Sequence, residues 1–225
     1  MKKYKVLSFD VFQTLVDVNK RIPHIWQGIL KEKYTKDRGI AGANAILQSF
    51  PKVYEKVISS SFRNMEDVYM ECVSNAVAEL NFTAGVEDVA YNLMFQHGMA
   101  PIYDDVPEVI RKLYKKYRIV ISSDSNHLMV DPILKNFSFE NSFISDDLKC
   151  YKGDATGKFF KTVLKTLQIH PSEILHIGDS SADVTGAHFA GIDACWINRE
   201  RRILHNNIKP DYDVTNFSEL LNILL

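Results

Sequence analysis

Residues 22–96 of this 225-residue chain contain no convincing strand, whereas both flanks do, and this contrast limits the possible fold more than any other feature. On the near flank, Tyr4–Phe9 (YKVLSF) is a short apolar run that stops abruptly at Asp10, the pattern of a buried strand. On the far flank, apolar runs alternate with helical stretches. Pro107–Tyr117 reads as a helix, Arg118–Ser122 (RIVIS) as a strand and 154–167 as a helix. Ile174–Ile177 then reads as a strand, 181–190 as a helix, Ala194–Ile197 as a strand and Phe217–Leu224 as a closing helix. Strands separated by helices of about 10–15 residues build a parallel sheet covered on both faces. The strandless block offers amphipathic segments at 22–34, 41–60, 65–80 and 86–97, punctuated by Gly39, Pro51, Asn64, Asn81 and Gly85. The expected class is therefore α/β: a doubly wound parallel sheet from residues 1–16 and 100–225, carrying an inserted all-helical domain at 17–99.

Charge and composition narrow the partners. The chain carries 27 Lys and Arg against 28 Asp and Glu, with no long basic run, which argues against nucleic acid or an anionic membrane surface. No apolar stretch approaches the ~20 residues needed to cross a bilayer. Met1-Lys2-Lys3 has the charge of a signal-peptide start, but Asp10 ends the apolar run behind it, so the expected location is cytoplasmic. Cys72, Cys150 and Cys195 are odd in number and lack metal-ligand spacing, so reduced thiols are expected. These features fit a protein acting on a small molecule, as a monomer or homodimer.

Ligands of doubly wound sheets bind at the carboxyl ends of the strands. Three expected strands end there in reactive or small polar groups: Asp10, then Ser122-Ser123-Asp124, then Gly178-Asp179, with Lys152 in a loop between the last two. One Asp after a strand most often starts a turn; several on one edge of one sheet point to chemistry. A carboxylate can attack as a covalent nucleophile and leave an aspartyl intermediate for water to hydrolyse. A phosphate approaching it meets like charge, so cations are needed. Magnesium takes oxygen ligands, which Asp10, Asp179 and Asp183 can supply. Lys152 offsets charge, at roughly 4 kcal/mol per contact pair for an effective dielectric of ~20. A serine hydroxyl and amides at a helix start suit the remaining phosphate oxygens.

These residues carry a resemblance. Phe9-Asp10-Val11-Phe12-Gln13-Thr14-Leu15 resembles the first motif of the haloacid dehalogenase superfamily, a strand ending in the nucleophilic Asp with a Thr four residues later. Ser123-Asp124 resembles the second motif, Lys152 with the helix beyond it the third, and Gly178-Asp179-Ser180-Ser181-Ala182-Asp183 the fourth. The order matches, and the helical insertion stands where that family carries its cap. The resemblance implies Asp10 as nucleophile and metal ligand, and Lys152 steadying nucleophile and substrate. It implies Ser123 on the phosphate, with Ser122 as the alternative register and Thr14 and Asp124 beside it. Asp179, Asp183 and the Phe12 backbone carbonyl would complete a Mg²⁺ site.

Phe12 departs from the pattern. Phosphatases of this superfamily usually carry a second Asp there as general acid, whereas an aromatic is typical of its 2-haloacid dehalogenases. Those lack both the metal and Gly-Asp in the fourth motif, which this chain keeps. Clustered acids without a cation are costly. The resemblance thus implies a Mg²⁺-dependent phosphatase acting on a small phosphorylated metabolite. A 2-haloacid dehalogenase-like C–halide hydrolase and a non-catalytic phospho-ligand-binding protein are the alternatives. Arg21 and His24, at the start of the insertion, are candidate substrate contacts. Trp26, Tyr54, Phe62 and Tyr69 are expected in the insertion's core, His176 in strand packing, Lys158 on an exposed helix face, and Arg199-Glu200-Arg201-Arg202 in a solvated loop.

Overall fold

Six parallel strands in the order β3-β2-β1-β4-β5-β6 form the centre of the computed structural model, which describes residues 4–204 and 209–225. The Met1-Lys2-Lys3 start lies outside them. The strands are β1 (Val6–Phe9), β2 (Arg118–Ser123), β3 (Asn141–Ile144), β4 (Ile174–Gly178), β5 (Asp193–Ile197) and β6 (Tyr212–Val214). β1 is fully buried because its neighbours are covered on both sides. Leu7 and Phe9 pack with α5 (Val106–Leu113) and the C-terminal α10 (Leu220–Leu224); Val6 lies on the opposite face with α8 (Lys158–Leu167) and α9 (Ser181–Phe189). The expected doubly wound sheet is therefore present.

The stretch between β1 and β2 begins with four long helices: α1 (Ile22–Leu30), α2 (Lys36–Ile58), α3 (Met65–Leu80) and α4 (Val86–Gly98). They share a hydrophobic core that includes Trp26, Val53, Val68, Val73 and Leu93 and that Met129 and Tyr151 join from outside the block. The sequence pattern placed these helices well but misjudged two breakers. α2 starts before residue 41 because Thr35 caps it, accepting a hydrogen bond from the Arg38 amide, and it runs through both Gly39 and Pro51. Gly42 explains why a glycine is present: a Cβ there would lie 2.5 Å from the Trp26 indole, so α1 packs against bare backbone. Buried Ile46, Val53 and Val57 hold α2 together across the proline.

The chain leaves and re-enters the sheet layer side by side. Val16 pairs antiparallel with Ile102, the Asp17 amide donates to Pro101 O (2.8 Å) and the Tyr103 amide to Leu15 O (3.0 Å). Short elements with weak periodicity escaped the sequence reading: α6 (His127–Leu134), α7 (Ser145–Leu148), β3 and β6. All three cysteines are buried and unpaired. No described helix is long and apolar enough to cross a membrane.

Candidate active site

The register of the sheet assembles the site. Phe9 lies opposite Ile121 on one side and Ile177 on the other, so one residue further along each strand Asp10 comes level with Ser122 and Gly178. Asp179 then follows Gly178 directly. Lys152 reaches this edge from the loop between α7 and α8. Its backbone amide donates to Asp124 Oδ1 (2.9 Å), and Gly186 of α9 lets the loop come close. A Cβ at Gly186 would lie 2.0 Å from the Lys152 carbonyl oxygen.

Lys152 is the hub. Its Nζ, almost wholly buried, donates to Asp10 Oδ1 (2.6 Å) and Asp183 Oδ1. The other Asp10 oxygen accepts from the Thr14 hydroxyl (3.1 Å). Burial opposes charge on the ammonium, but Asp10, Asp183 and Asp124 outweigh it and hold Lys152 protonated. Asp183 is the most committed acid. Oδ1 accepts from Lys152 and from His176 Nε2 (2.9 Å), and Oδ2 accepts from the Ser180 amide (2.9 Å) and hydroxyl (2.6 Å). Burial works against its ionised form, yet Lys152 and His176 keep this carboxyl below the usual range. Both its oxygens being so engaged, Asp183 anchors Lys152 and starts α9 in one stroke. His176, expected only to pack, packs edge-on to Phe160 and links Asp183 through its ring to the Ser8 hydroxyl (3.0 Å).

The remaining acids are less well compensated. Burial and the Asp183 charge raise Asp10 to about 6 against the pull of Lys152. Burial, then Asp10 and Asp183, raise Asp179 to about 7, against Arg202. Two buried carboxylates, Asp10 and Asp183, and two half-buried ones, Asp124 and Asp179, face the two cations Lys152 and Arg202, and this excess of negative charge is what a divalent ion relieves. Oxygens of Asp10, Asp179 and Asp183 lie within 4.8 Å of one another, hard donors of the kind magnesium takes. The donor set fits the ion.

The two serines differ in use. Ser8 and Ser122 hydroxyls bond each other (2.8 Å), whereas buried Ser123 Oγ has no hydrogen-bond partner. An orphaned hydroxyl at the end of β2 is where a substrate oxygen would be received. Asp124, a candidate substrate contact, spends its carboxylate on the Lys152 amide and on the Tyr54 hydroxyl (2.7 Å). Arg21 donates to Gln96 Oε1 (2.6 Å), and His24 is exposed on α1, so both stand apart from the Lys152 hub.

The helical block contributes residues that no motif marked. Tyr54 joins α2 to Asp124. His97 of α4 lies edge-on to Phe12, ring centroids 5.2 Å apart. Burial pushes His97 down to about 4, so it is neutral near pH 7. Its Nδ1 donates to Leu93 O (2.8 Å), which leaves Nε2 to accept from Tyr69. Phe12 thus packs under the helical block rather than offering an acid. In the loop of four charged residues Glu200, Arg201 and Arg202 are exposed as expected, yet two of its arginines are committed to partners. Arg199 stacks on Tyr103 and pairs with Asp105, and Arg202 pairs with Asp179.

A family model for haloacid dehalogenase-like hydrolases matches residues 4–191. The chain belongs to this family. Among haloacid dehalogenase-like relatives, the HAD-hydrolase YfnB of Bacillus subtilis (strain 168) is 24% identical over 237 residues, covering 100% of this chain and 97% of its own. A crystal structure of YfnB bound to magnesium, which reveals interdomain movement in that protein, superposes with a TM-score of 0.84 at 22% identity over 99% of both chains. Pyrimidine 5'-nucleotidase PynA of Streptococcus pneumoniae (strain ATCC BAA-255 / R6) is 25% identical over 238 residues, 98% of this chain and 95% of its own. An (S)-2-haloacid dehalogenase of Pseudomonas sp. (strain YL) is 24% identical over 131 residues, 56% of this chain and 55% of its own.

Proposed function

We propose that this hydrolase is a Mg²⁺-dependent phosphatase that transfers a phosphoryl group from a small phosphorylated compound to Asp10 and then to water. The observation that carries this reading is the surplus of carboxylates: Asp10, Asp179 and Asp183 oxygens within 4.8 Å, with Asp10 and Asp179 both raised by burial and by neighbouring acids. Attack on a carbon–halogen bond gives no reason to gather them. The nucleotidase relative aligns over nearly the whole chain and the YfnB structure holds magnesium, but solved 2-haloacid dehalogenases superpose over 98% of the chain as well, so the choice rests on the carboxylates and not on likeness.

In this reading Asp10 attacks phosphorus and the leaving oxygen departs with the bonding electrons. Water then attacks phosphorus, releasing phosphate and restoring the Asp10 carboxylate. Lys152 holds Asp10 in place and meets the phosphate charge, the Ser123 hydroxyl receives a phosphate oxygen, and Thr14 fixes the other Asp10 oxygen. Asp10, Asp179, Asp183 and the Phe12 carbonyl would hold Mg²⁺, which would supply charge neutralisation at the transferred group. Residues 17–99 act as a cap, with Tyr54 and His97 on its inner side. The deciding experiment is hydrolysis of an aryl phosphate and of 2-chloropropionate, each with Mg²⁺ and with chelator. Phosphate release that requires Mg²⁺ is expected. Undiminished halide release in chelator would hand the chain to dehalogenation, and no turnover of a broad panel together with no metal binding would make it a binding protein.

Phe12 adds a second expectation. With an aromatic ring two residues after Asp10, an alkoxide leaving group has no carboxylic acid to protonate it, a loss typically worth about 10²–10⁴-fold. Aryl and acyl phosphates should therefore be turned over well ahead of sugar phosphates. Phe12→Asp should raise the rate on alkyl phosphates more than on aryl phosphates, measured on protein verified as folded. Brisk hydrolysis of sugar phosphates by the unaltered chain would refute the argument.

A further inference from the structure

Arg202 is placed by a purpose-made turn. The buried Asn198 side chain grips its backbone from both directions, accepting from the Arg202 amide (2.7 Å) and donating to the Arg202 carbonyl (2.9 Å). Arg201 takes a left-handed conformation, φ 52°, to make the bend. The guanidinium then lands on Asp179: Nη2 donates to Oδ2 (2.7 Å) and to the backbone carbonyl (3.0 Å), which the Trp196 indole also engages (2.8 Å). A non-glycine residue held at positive φ costs energy, so the turn is maintained by what it delivers.

The two cations of the site are not equivalent. Lys152 is enclosed, its side chain 3% exposed. The Arg202 side chain is 47% exposed, with Glu200 Oε2 3.8 Å from its Nε on the solvent side. It has somewhere to go. Asp179 does not: it is largely buried and cannot be left without a counter-ion.

We propose that Arg202 is a replaceable, tethered counter-cation: it neutralises the Asp179 carboxylate that would hold Mg²⁺, is displaced to solvent when the ion binds, and so sets the metal affinity of the site. This rests on the reading that Asp179 is a metal ligand. It assigns Arg202 a positioning role: keeping Asp179 compensated and correctly aimed while no metal is bound, and then giving way. A guanidinium is a planar, weakly hydrated fork that pairs well with a carboxylate yet leaves water-accessible sites cheaply, which suits a cation that must be exchanged. The tether keeps its local concentration high, so it competes with the ion at every encounter.

The test is calorimetric Mg²⁺ titration of the full chain at about pH 8.5 and fixed ionic strength, comparing the unaltered protein with Arg202→Met and with Arg111→Met. Arg111 is an exposed arginine of α5, so its variant controls for the loss of one positive charge. Arg202→Met should bind Mg²⁺ about three- to tenfold more tightly, the scale of a half-exposed ion pair. Arg111→Met should match the parent, and Arg202→Lys should lie between. Equal or weaker affinity in Arg202→Met overturns the proposal, because a merely structural latch would never tighten the site when cut. Should Arg202→Met melt early, Arg202→Gln is read by the same criterion. Absence of any Mg²⁺ binding by the unaltered chain would instead defeat the metal-dependent reading, and this inference with it.

Discussion

Asp10→Asn is expected to abolish turnover, with a loss of at least about 10³-fold, while leaving the fold intact. An amide is no nucleophile, but it is close to isosteric, and the surroundings can accommodate it. Lys152 Nζ can only donate, so the amide oxygen must face it. The amide NH₂ then faces the Thr14 hydroxyl, which now donates to Asp10 but can rotate to accept. One charge also leaves a cluster already rich in carboxylates. The variant should accordingly melt no lower than its parent without Mg²⁺. Turnover above about one per cent of the parent rate, in protein with an unchanged melting profile, would mean that another residue attacks.

Removing Lys152 should hurt both activity and stability. Lys152→Met leaves Asp10 and Asp183 facing each other across a buried site with their shared partner gone, a change that typically costs about 3–5 kcal/mol. For a chain of this size that lowers the melting temperature by on the order of 10 °C. The pH dependence has a definite sign. Asp10 and Asp179 are raised to about 6 and about 7 by burial and neighbouring acids, so the folded state holds protons that the unfolded chain has released. Their contribution to stability is present at low pH and is lost as pH rises through that window. Without Lys152, Asp183 loses the main influence holding it ionised and joins them. The variant's melting temperature should therefore climb as pH falls from about 8 to about 5.5, more steeply than the parent's, and Mg²⁺ should restore part of the loss at the upper end. A melting curve indifferent to both pH and Mg²⁺ would show that the cluster is not what Lys152 neutralises.

How much of this was readable beforehand follows from what each residue answers to. The sheet edge was legible because apolar runs that stop at Asp10, Ser123 and Gly178-Asp179 can only be buried strands ending at a common rim. The choice between Ser122 and Ser123 was not, since alternation in β2 is obscured when both faces are buried; only the partner at Ser8 separates them. Tyr54 and His97 gave no signal because their spacing on α2 and α4 is that of ordinary core aromatics, and what turns them toward Asp124 and Phe12 is how the helical block sits on the sheet. The pairings of the Arg199–Arg202 stretch were missed for a related reason, although Glu200, Arg201 and Arg202 are exposed as expected. Mixed charges read as solvated until the chain path past β5 sets them against Asp105 and Asp179. Gly39 and Pro51 mark no break because burial of one face of α2 outweighs local preference.

The paired crossing of Val16 and Ile102 bears on how such a molecule can change over time. The outgoing and returning chains are stitched together by one bridge and two flanking hydrogen bonds, so the helical block joins the sheet through a single neck. Two chains bound in this way are coupled, so a substitution in either arm bears on both. The same seam makes the block separable in a genetic sense. Between Val16 and Ile102 the backbone is already closed, so a lineage could lengthen, shorten or exchange everything in between while the carboxylate edge at Asp10 stayed as it is.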